Sequence, residues 1–148
     1  MKFLFKIFIL CCFLYPLSIV AAGLSPAYYK IEDNAQQKEE FIREMKVMVD
    51  KANNEIKADR EFITNFFVKA VPDAFRGLNQ SNVGYLISLR NKYGVENLFD
   101  RDEFLKRVDV IPISLALSQA AVESGWGKSR FAREANNLFG HWTYSGVG

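Results

Sequence analysis

The sequence predicts a predominantly helical, all-α fold. Apolar residues recur at helical spacing over two long stretches, proline and glycine stand where helices would begin or end, and no stretch shows the alternation of a strand. Of the 148 residues, 49% are hydrophobic and 24% are charged, which is ordinary for one globular domain. The sequence therefore predicts one helical domain behind a distinct N-terminal segment.

Residues 1–22 have the composition of a signal peptide. Lys2 and Lys6 precede a nearly unbroken apolar run, and small residues follow it. We expect cleavage after Ala22, with Ala21 as the near alternative, and export to the periplasm or cell envelope. The open alternative is an uncleaved anchor, because the run approaches the roughly 20 residues that a membrane-spanning helix needs. Only this segment would then contact the membrane.

Composition excludes several classes of function. Without residues 1–22 the chain has 17 basic and 17 acidic residues, which argues against nucleic acid as a partner. Cys11 and Cys12 both lie in that segment, and His141 is the single histidine of the chain. We therefore expect no metal and no cofactor, and the residues for a zinc amidase or for a serine or cysteine hydrolase are missing.

A long amphipathic helix is predicted from Gln36 to about Val71, ended by Pro72. We expect residues 23–34 before it to be extended, with Tyr28 and Tyr29 packing back. A coiled-coil seam is the alternative, but the pattern favours packing against the chain's own core. The apolar positions are Phe41, Met45, Met48, Ala52, Ile56, Ile63, Phe66 and Phe67.

Shorter helices are predicted farther along the chain. One runs from Asn82 to Tyr93, with Gly94 as its C-terminal cap, and another from Asp100 to Arg107. Pro112 is suited to the first position of a third, and a fourth runs from about Ser129 to Ala135.

Glu123 is the candidate catalytic residue. The helix beginning near Pro112 has one apolar stripe, made of Ile113, Ala116, Leu117, Ala120 and Ala121. Glu123 follows Ala120 by three residues, so we expect its carboxyl group to be partly buried at the edge of that stripe. Such an acid can protonate a glycosidic oxygen. The alternative is a residue that ends the helix and pairs with Lys128 or Arg130.

Aromatic and amide residues follow Glu123. Gly125 and Gly127 would break the helix and hold the Trp126 indole beside the carboxylate, where an aromatic face can support a sugar ring. Alternatively, Asn136 or Asn137 caps the helix that precedes them in a left-handed conformation, and Leu138 and Phe139 fill the core. The candidate substrate-binding residues are Trp126, Asn136, Asn137, Phe139, Trp142 and Tyr144.

The stretch AAVESGWGKSRFAREANNLFG, residues 120–140, resembles the core motif of the glucosaminidase family. These proteins are peptidoglycan-cleaving relatives of mannosyl-glycoprotein endo-beta-N-acetylglucosaminidase, and the sequence is most similar to the bacterial Bax-type members. RVDVIPISLALSQ at residues 107–119 and KANNEIKADR at residues 51–60 extend the resemblance. It implies a helical leading region at residues 23–106 and the start of a glucosaminidase domain at residues 107–148.

The resemblance also implies a lysozyme-like fold, Glu123 as general acid, and peptidoglycan glycan strands as substrate. In the family the domain continues into a hairpin that supplies a second acidic residue. Here that hairpin would lie beyond Gly148, so we expect the N-terminal part of a lysozyme-like α+β domain, in a truncated copy. A lytic transglycosylase and a non-catalytic cell-wall binding or interaction module remain as alternatives.

Overall fold

The computed structural model describes residues 23–140, and every regular element in that range is helical. The predicted all-α class is confirmed for these residues, whereas the predicted signal peptide at residues 1–22 lies outside them. Within the described range, no helix combines the length and hydrophobicity that a membrane span requires. The elements are a short 3-10 helix at Tyr28–Lys30 and the helices α1 (Asn34–Ala70), α2 (Gln80–Tyr93), α3 (Arg101–Arg107), α4 (Ile113–Ser124) and α5 (Arg130–Ala135).

Helix α1 has 37 residues and is therefore about 55 Å long. At its start, the Asp33 carboxylate accepts a hydrogen bond from the Gln36 amide and so satisfies one of the free donors of the first turn. It ends at Ala70, two residues before Pro72, which has no amide hydrogen to continue the helix. The long helix predicted from the sequence is confirmed.

Two separate apolar cores lie along α1. The first half of α1 packs against the segment before it, α4 and α5, and the second half packs against α2 and α3. The predicted stripe of α1 thus packs within the chain itself. The first core contains Leu24, Tyr28, Phe41, Met45, Val49, Ala116, Ala120, Ala121, Ala132 and Leu138, and the second contains Ile63, Phe66, Phe67, Ala70, Leu86, Leu89, Val95, Phe104 and Val108.

Asp59, which is buried in α1, joins that helix to α2. Its carboxylate accepts hydrogen bonds from the hydroxyls of Tyr85 and Tyr93 and from the Lys92 ammonium, at 2.6 to 2.8 Å. Burial alone would raise the pKa of Asp59, but these three donors outweigh it and hold the pKa below its usual value. The same contact raises the pKa of Lys92 to about 12.

The side chain of Asn53 in α1 fixes the backbone just before α4. It donates to the Ile111 carbonyl at 2.9 Å and accepts from the Ile111 amide at 3.1 Å. Pro112 then caps α4 with an extended ψ of 129°, and the helix begins at Ile113. The prediction that Pro112 is the first helical residue is therefore wrong by one position, because the extended ψ of Pro112 makes it the cap before the first helical residue.

Candidate active site around Glu123

Glu123 lies in the last turn of α4, where its side chain is exposed. The expectation that it is partly buried is wrong. The buried stripe of α4 continues from Ala120 to Ser124, which is fully buried, and Glu123 points about 100° away from Ser124 around the helix axis. In the described residues 23–140 Glu123 forms no ion pair, since Lys128 donates to Asn34 and Arg130 lies near Glu134.

The chain turns sharply directly after Glu123. Gly125, Trp126 and Gly127 have consecutive positive φ angles of 57°, 58° and 74°. Gly125 is the left-handed C-cap of α4, as predicted, and the Trp126 amide donates to the Ala121 carbonyl at 2.8 Å. The buried Ser124 hydroxyl accepts the Gly127 amide at 2.7 Å and donates to the Ala120 carbonyl. These bonds hold the turn against the end of α4.

The Trp126 ring packs against α1. It is half-buried in the first core, meets the Phe41 ring edge-on at 5.5 Å between centroids, and has the Lys38 ammonium 5.2 Å from its centroid. The Tyr28 hydroxyl donates to the Trp126 carbonyl. Core packing is thus one role of this side chain, and its predicted contact with a sugar stays a prediction.

The segment after α5 returns the chain to Glu123. Asn136 is the left-handed C-cap of α5, with φ 53°, and the Asn137 amide donates to the Phe131 carbonyl at 3.1 Å. Both features fit the capping interpretation given for these asparagines. Leu138 is buried in the first core, whereas the Phe139 side chain is 37% exposed.

Gly140 touches the Glu123 carboxylate. A Cβ atom added to Gly140 would lie 2.9 Å from Glu123 Oε2 and 3.7 Å from its Cδ, and the φ of 64° is one that favours glycine. The close approach fixes one side of the surroundings of the carboxylate. Sequence reasoning missed this contact, because 17 residues separate the two positions and only the glycine itself could have signalled it.

An apolar groove of about 450 Å³ lies between α1, α4 and the segment after α5. Gln119 lines it one helical turn before Glu123, and Asn136 and Phe139 line it from the other side. The structure thus gathers two of the predicted substrate-binding residues at one groove. Asn53 also lines it, but both ends of its amide are engaged with Ile111.

Part of the predicted site lies outside the described residues 23–140. Trp142 and Tyr144, both predicted to bind substrate, and His141 lie outside it. Among residues 23–140 no group of three or more acidic, histidine or cysteine residues is arranged to hold a metal ion. Glu134, the single carboxylate after Glu123 in the sequence, is exposed beside Arg130 at 3.9 Å.

Comparison with known proteins relates this site to a family. The sequence model Glucosaminidase, described as mannosyl-glycoprotein endo-beta-N-acetylglucosaminidase, matches residues 100–146. This stretch is therefore similar to the glucosaminidase family. Protein bax of Escherichia coli (strain K12) is 61% identical to this chain over 36 residues, which are 24% of this chain and 13% of that protein. No solved structure matches the chain significantly.

The glucosaminidase stretch contains α3, α4 and α5, and with them Glu123 and Gly140. The predicted resemblance to Bax-type glucosaminidases is thereby confirmed, although the aligned part is a small share of the relative's length. Helices α1 and α2 lie outside the match. The first half of α1 nevertheless packs on α4 and forms one wall of the groove, so the glucosaminidase stretch depends on the preceding region for its core.

Proposed function

We propose that this protein is an exported peptidoglycan hydrolase that cleaves glycosidic bonds next to N-acetylglucosamine, with Glu123 as general acid. The observation that carries the proposal is the position of Glu123. It ends α4 within the glucosaminidase stretch, its carboxylate lies against Gly140, and it is free of ion pairs within residues 23–140. An exposed carboxyl group without a cationic partner is available to a substrate oxygen.

Hydrolysis breaks the glycosidic C–O bond and consumes one water. As the bond breaks, the protonated Glu123 gives its proton to the leaving-group oxygen, so that one sugar departs as a neutral alcohol. Water adds to the anomeric carbon of the other sugar and gives up one proton, which replaces the proton that Glu123 donated. Contact with a bound glycan would exclude water from the surroundings of the exposed carboxyl group. Gly140, which lacks a side chain, leaves free the space beside Oε2 that a Cβ atom would occupy.

The groove beside Glu123 supports a sugar with an N-acetyl group as substrate. Its wall is largely apolar and suits an acetyl methyl group, while Gln119 and Asn136 supply amide groups at its edges. The partly exposed Phe139 offers a ring on which a sugar face can pack. We include Trp126, Trp142 and Tyr144 in the proposed binding surface because aromatic faces can support sugar rings, and Asn137 because the resemblance implies that its segment shapes the cleft.

The test compares Glu123→Gln with the parent chain on purified peptidoglycan. We expect the release of reducing ends to fall by at least about 100-fold, because the amide cannot donate the proton, while sedimentation with insoluble peptidoglycan is retained. Glu134→Gln is the matched control, since that exposed carboxylate is paired with Arg130 and should leave the rate unchanged. Equal rates for Glu123→Gln and the parent would refute the acid role.

Product analysis separates the alternatives. Reducing-end N-acetylglucosamine supports the hydrolase, whereas 1,6-anhydro sugars would show a lytic transglycosylase. A parent chain that binds peptidoglycan but releases no product would show a non-catalytic binding module and would contradict the proposal.

A further inference from the structure

We propose that residues 23–30, here called the N-terminal strap, support the active site, and that the α-ammonium group created at Gly23 by export processing binds the Asn136 side chain. The inference rests on the proposed function, which includes export, and on the cleavage after Ala22 that the sequence predicts. Hydrolysis of the Ala22–Gly23 bond by an export peptidase consumes one water and leaves a carboxyl group on Ala22 and an amine on Gly23. Most of that amine is protonated at pH 7.

The strap is packed into the protein from Leu24 onward. Leu24 is 7% exposed and Tyr28 is fully buried in the first core. The Ser25 amide donates to Glu44 Oε2 at 2.7 Å, and its hydroxyl donates to Glu44 Oε1 at 2.5 Å. A chain that began after Leu24 would lose a buried side chain, so the packing is compatible with a start at Gly23 or Leu24 and not with a later one.

The strap contacts both segments that flank Glu123. Leu24 fills the space over Gly127, where a Cβ atom would overlap Leu24 Cδ1, and Tyr28 donates to the Trp126 carbonyl in the same turn. At its other end, Gly23 lies against Asn136 of the segment that leads to Gly140. The strap therefore connects the turn after Glu123 with the segment whose backbone touches the Glu123 carboxylate.

The contact between Gly23 and Asn136 leaves no room for a larger side chain. A Cβ atom on Gly23 would overlap Asn136 Oδ1 and lie 2.5 Å from its Cγ. Given the short bonds around the glycine Cα, the Gly23 nitrogen is within about 5 Å of that side-chain amide. A peptide nitrogen has one hydrogen in a fixed direction, whereas an ammonium group has three that rotate, so processing allows a bond to Oδ1.

Charge also favours an ammonium group at this position. A surface hollow lined by Gly23, Asn136, Arg43 and Glu44 gives the new terminus space. The Glu44 carboxylate attracts it, and the repulsion from Arg43 is reduced because that guanidinium is bound to Glu40. Asn136 is itself held in place as the left-handed cap of α5.

The first test is to express the full chain in a bacterial host and sequence the N-terminus of the protein recovered from the cell envelope. We expect Gly23 as the first residue. A start at Leu24 or later, or a chain that retains residues 1–22, would overturn the proposal.

The second test moves the positive charge of the N-terminus away from Asn136. Two serines inserted between Ala22 and Gly23 place the ammonium group two residues away, and N-terminal sequencing confirms where each chain begins. We expect the melting temperature to fall by about 3 °C and amide exchange at residues 136–140 to rise about five-fold. In Asn136→Gly, which keeps the left-handed backbone without the carbonyl, the same insertion should change nothing further.

An unchanged melting temperature and exchange rate after the insertion would overturn the proposal. So would an effect of the insertion that is equally large in Asn136→Gly. None of these measurements uses glycan cleavage, so their failure leaves the proposed hydrolase intact, and an inactive Glu123→Gln variant does not by itself support the role of the strap.

Discussion

Ser124→Ala probes the turn that holds the end of α4 beside the candidate acid. The serine follows Glu123 directly and is fully buried. Its hydroxyl accepts the Gly127 amide at 2.7 Å and donates to the Ala120 carbonyl. Alanine leaves the buried Gly127 N–H without this acceptor, whereas the Ala120 carbonyl keeps its helical hydrogen bond.

The expected loss of stability follows from the Gly127 amide that is left without an acceptor. A buried donor without a partner costs about 1–3 kcal/mol, so we expect Ser124→Ala to lower the free energy of unfolding by about 2 kcal/mol. Ser118→Ala is the matched control, because Ser118 lies in the same helix and donates to the Ser114 carbonyl at 2.7 Å, but is exposed. Its substitution should change the free energy by less than about 0.5 kcal/mol.

Urea unfolding of the full chain measures both variants. We expect a lower midpoint for Ser124→Ala with an unchanged slope, and faster amide exchange at Gly127. Equal midpoints for Ser124→Ala and Ser118→Ala would refute the reasoning, since the buried hydroxyl would then contribute no more than an exposed one.

Three further substitutions test other contacts. Gly140→Ala forces alanine into a left-handed backbone and pushes its Cβ against the Glu123 carboxylate. We expect the free energy of unfolding in urea to fall by about 1–2 kcal/mol. Under the proposed function, the rate of hydrolysis should fall by about 10-fold or more. Because the pKa of Asp59 is lower in the folded state, its contribution is present above the unfolded value near about 4 and is lost as the pH falls through the folded value. Unfolding midpoints at acid and neutral pH should therefore differ less in Asp59→Asn than in the parent, and an equal difference would contradict this. Asn53→Ala leaves the amide and carbonyl of Ile111 without their partner, so thermal melting should show about 2 kcal/mol of destabilisation; a loss below about 0.5 kcal/mol would contradict this role of Asn53.

Helix ends were predictable because their chemistry is local. Pro72 cannot continue α1, and Gly94 and Gly125 adopt left-handed angles of 64° and 57° at the C-caps of α2 and α4. Each depends on the backbone preferences of one residue, which the sequence states directly. The first position of α4 was misplaced by one residue, because Pro112 has an extended ψ of 129° and so caps the helix instead of beginning it.

The burial of individual side chains at the site was less predictable from the sequence than their position along the helix. Helical spacing placed Glu123 at the end of an apolar helix, but either Glu123 or Ser124 could have continued the buried stripe from Ala120. The structure buries Ser124 and exposes Glu123, because the serine is the one in contact with the Gly125–Gly127 turn. Similarly, the Trp126 ring packs edge-on against the Phe41 ring, which is 85 residues away in the sequence.

The sequence by itself determined the helical class, the limits of most helices and the glucosaminidase motif around Glu123, since periodicity, caps and motifs are properties of neighbouring residues. Only the tertiary structure decided which side chains surround that motif. The strap beneath the Gly125–Gly127 turn, the approach of Gly140 to Glu123 and the groove walled by α1 all join residues far apart in the chain. Such contacts depend on how whole helices pack, and packing is a property of the assembled core that no local pattern contains.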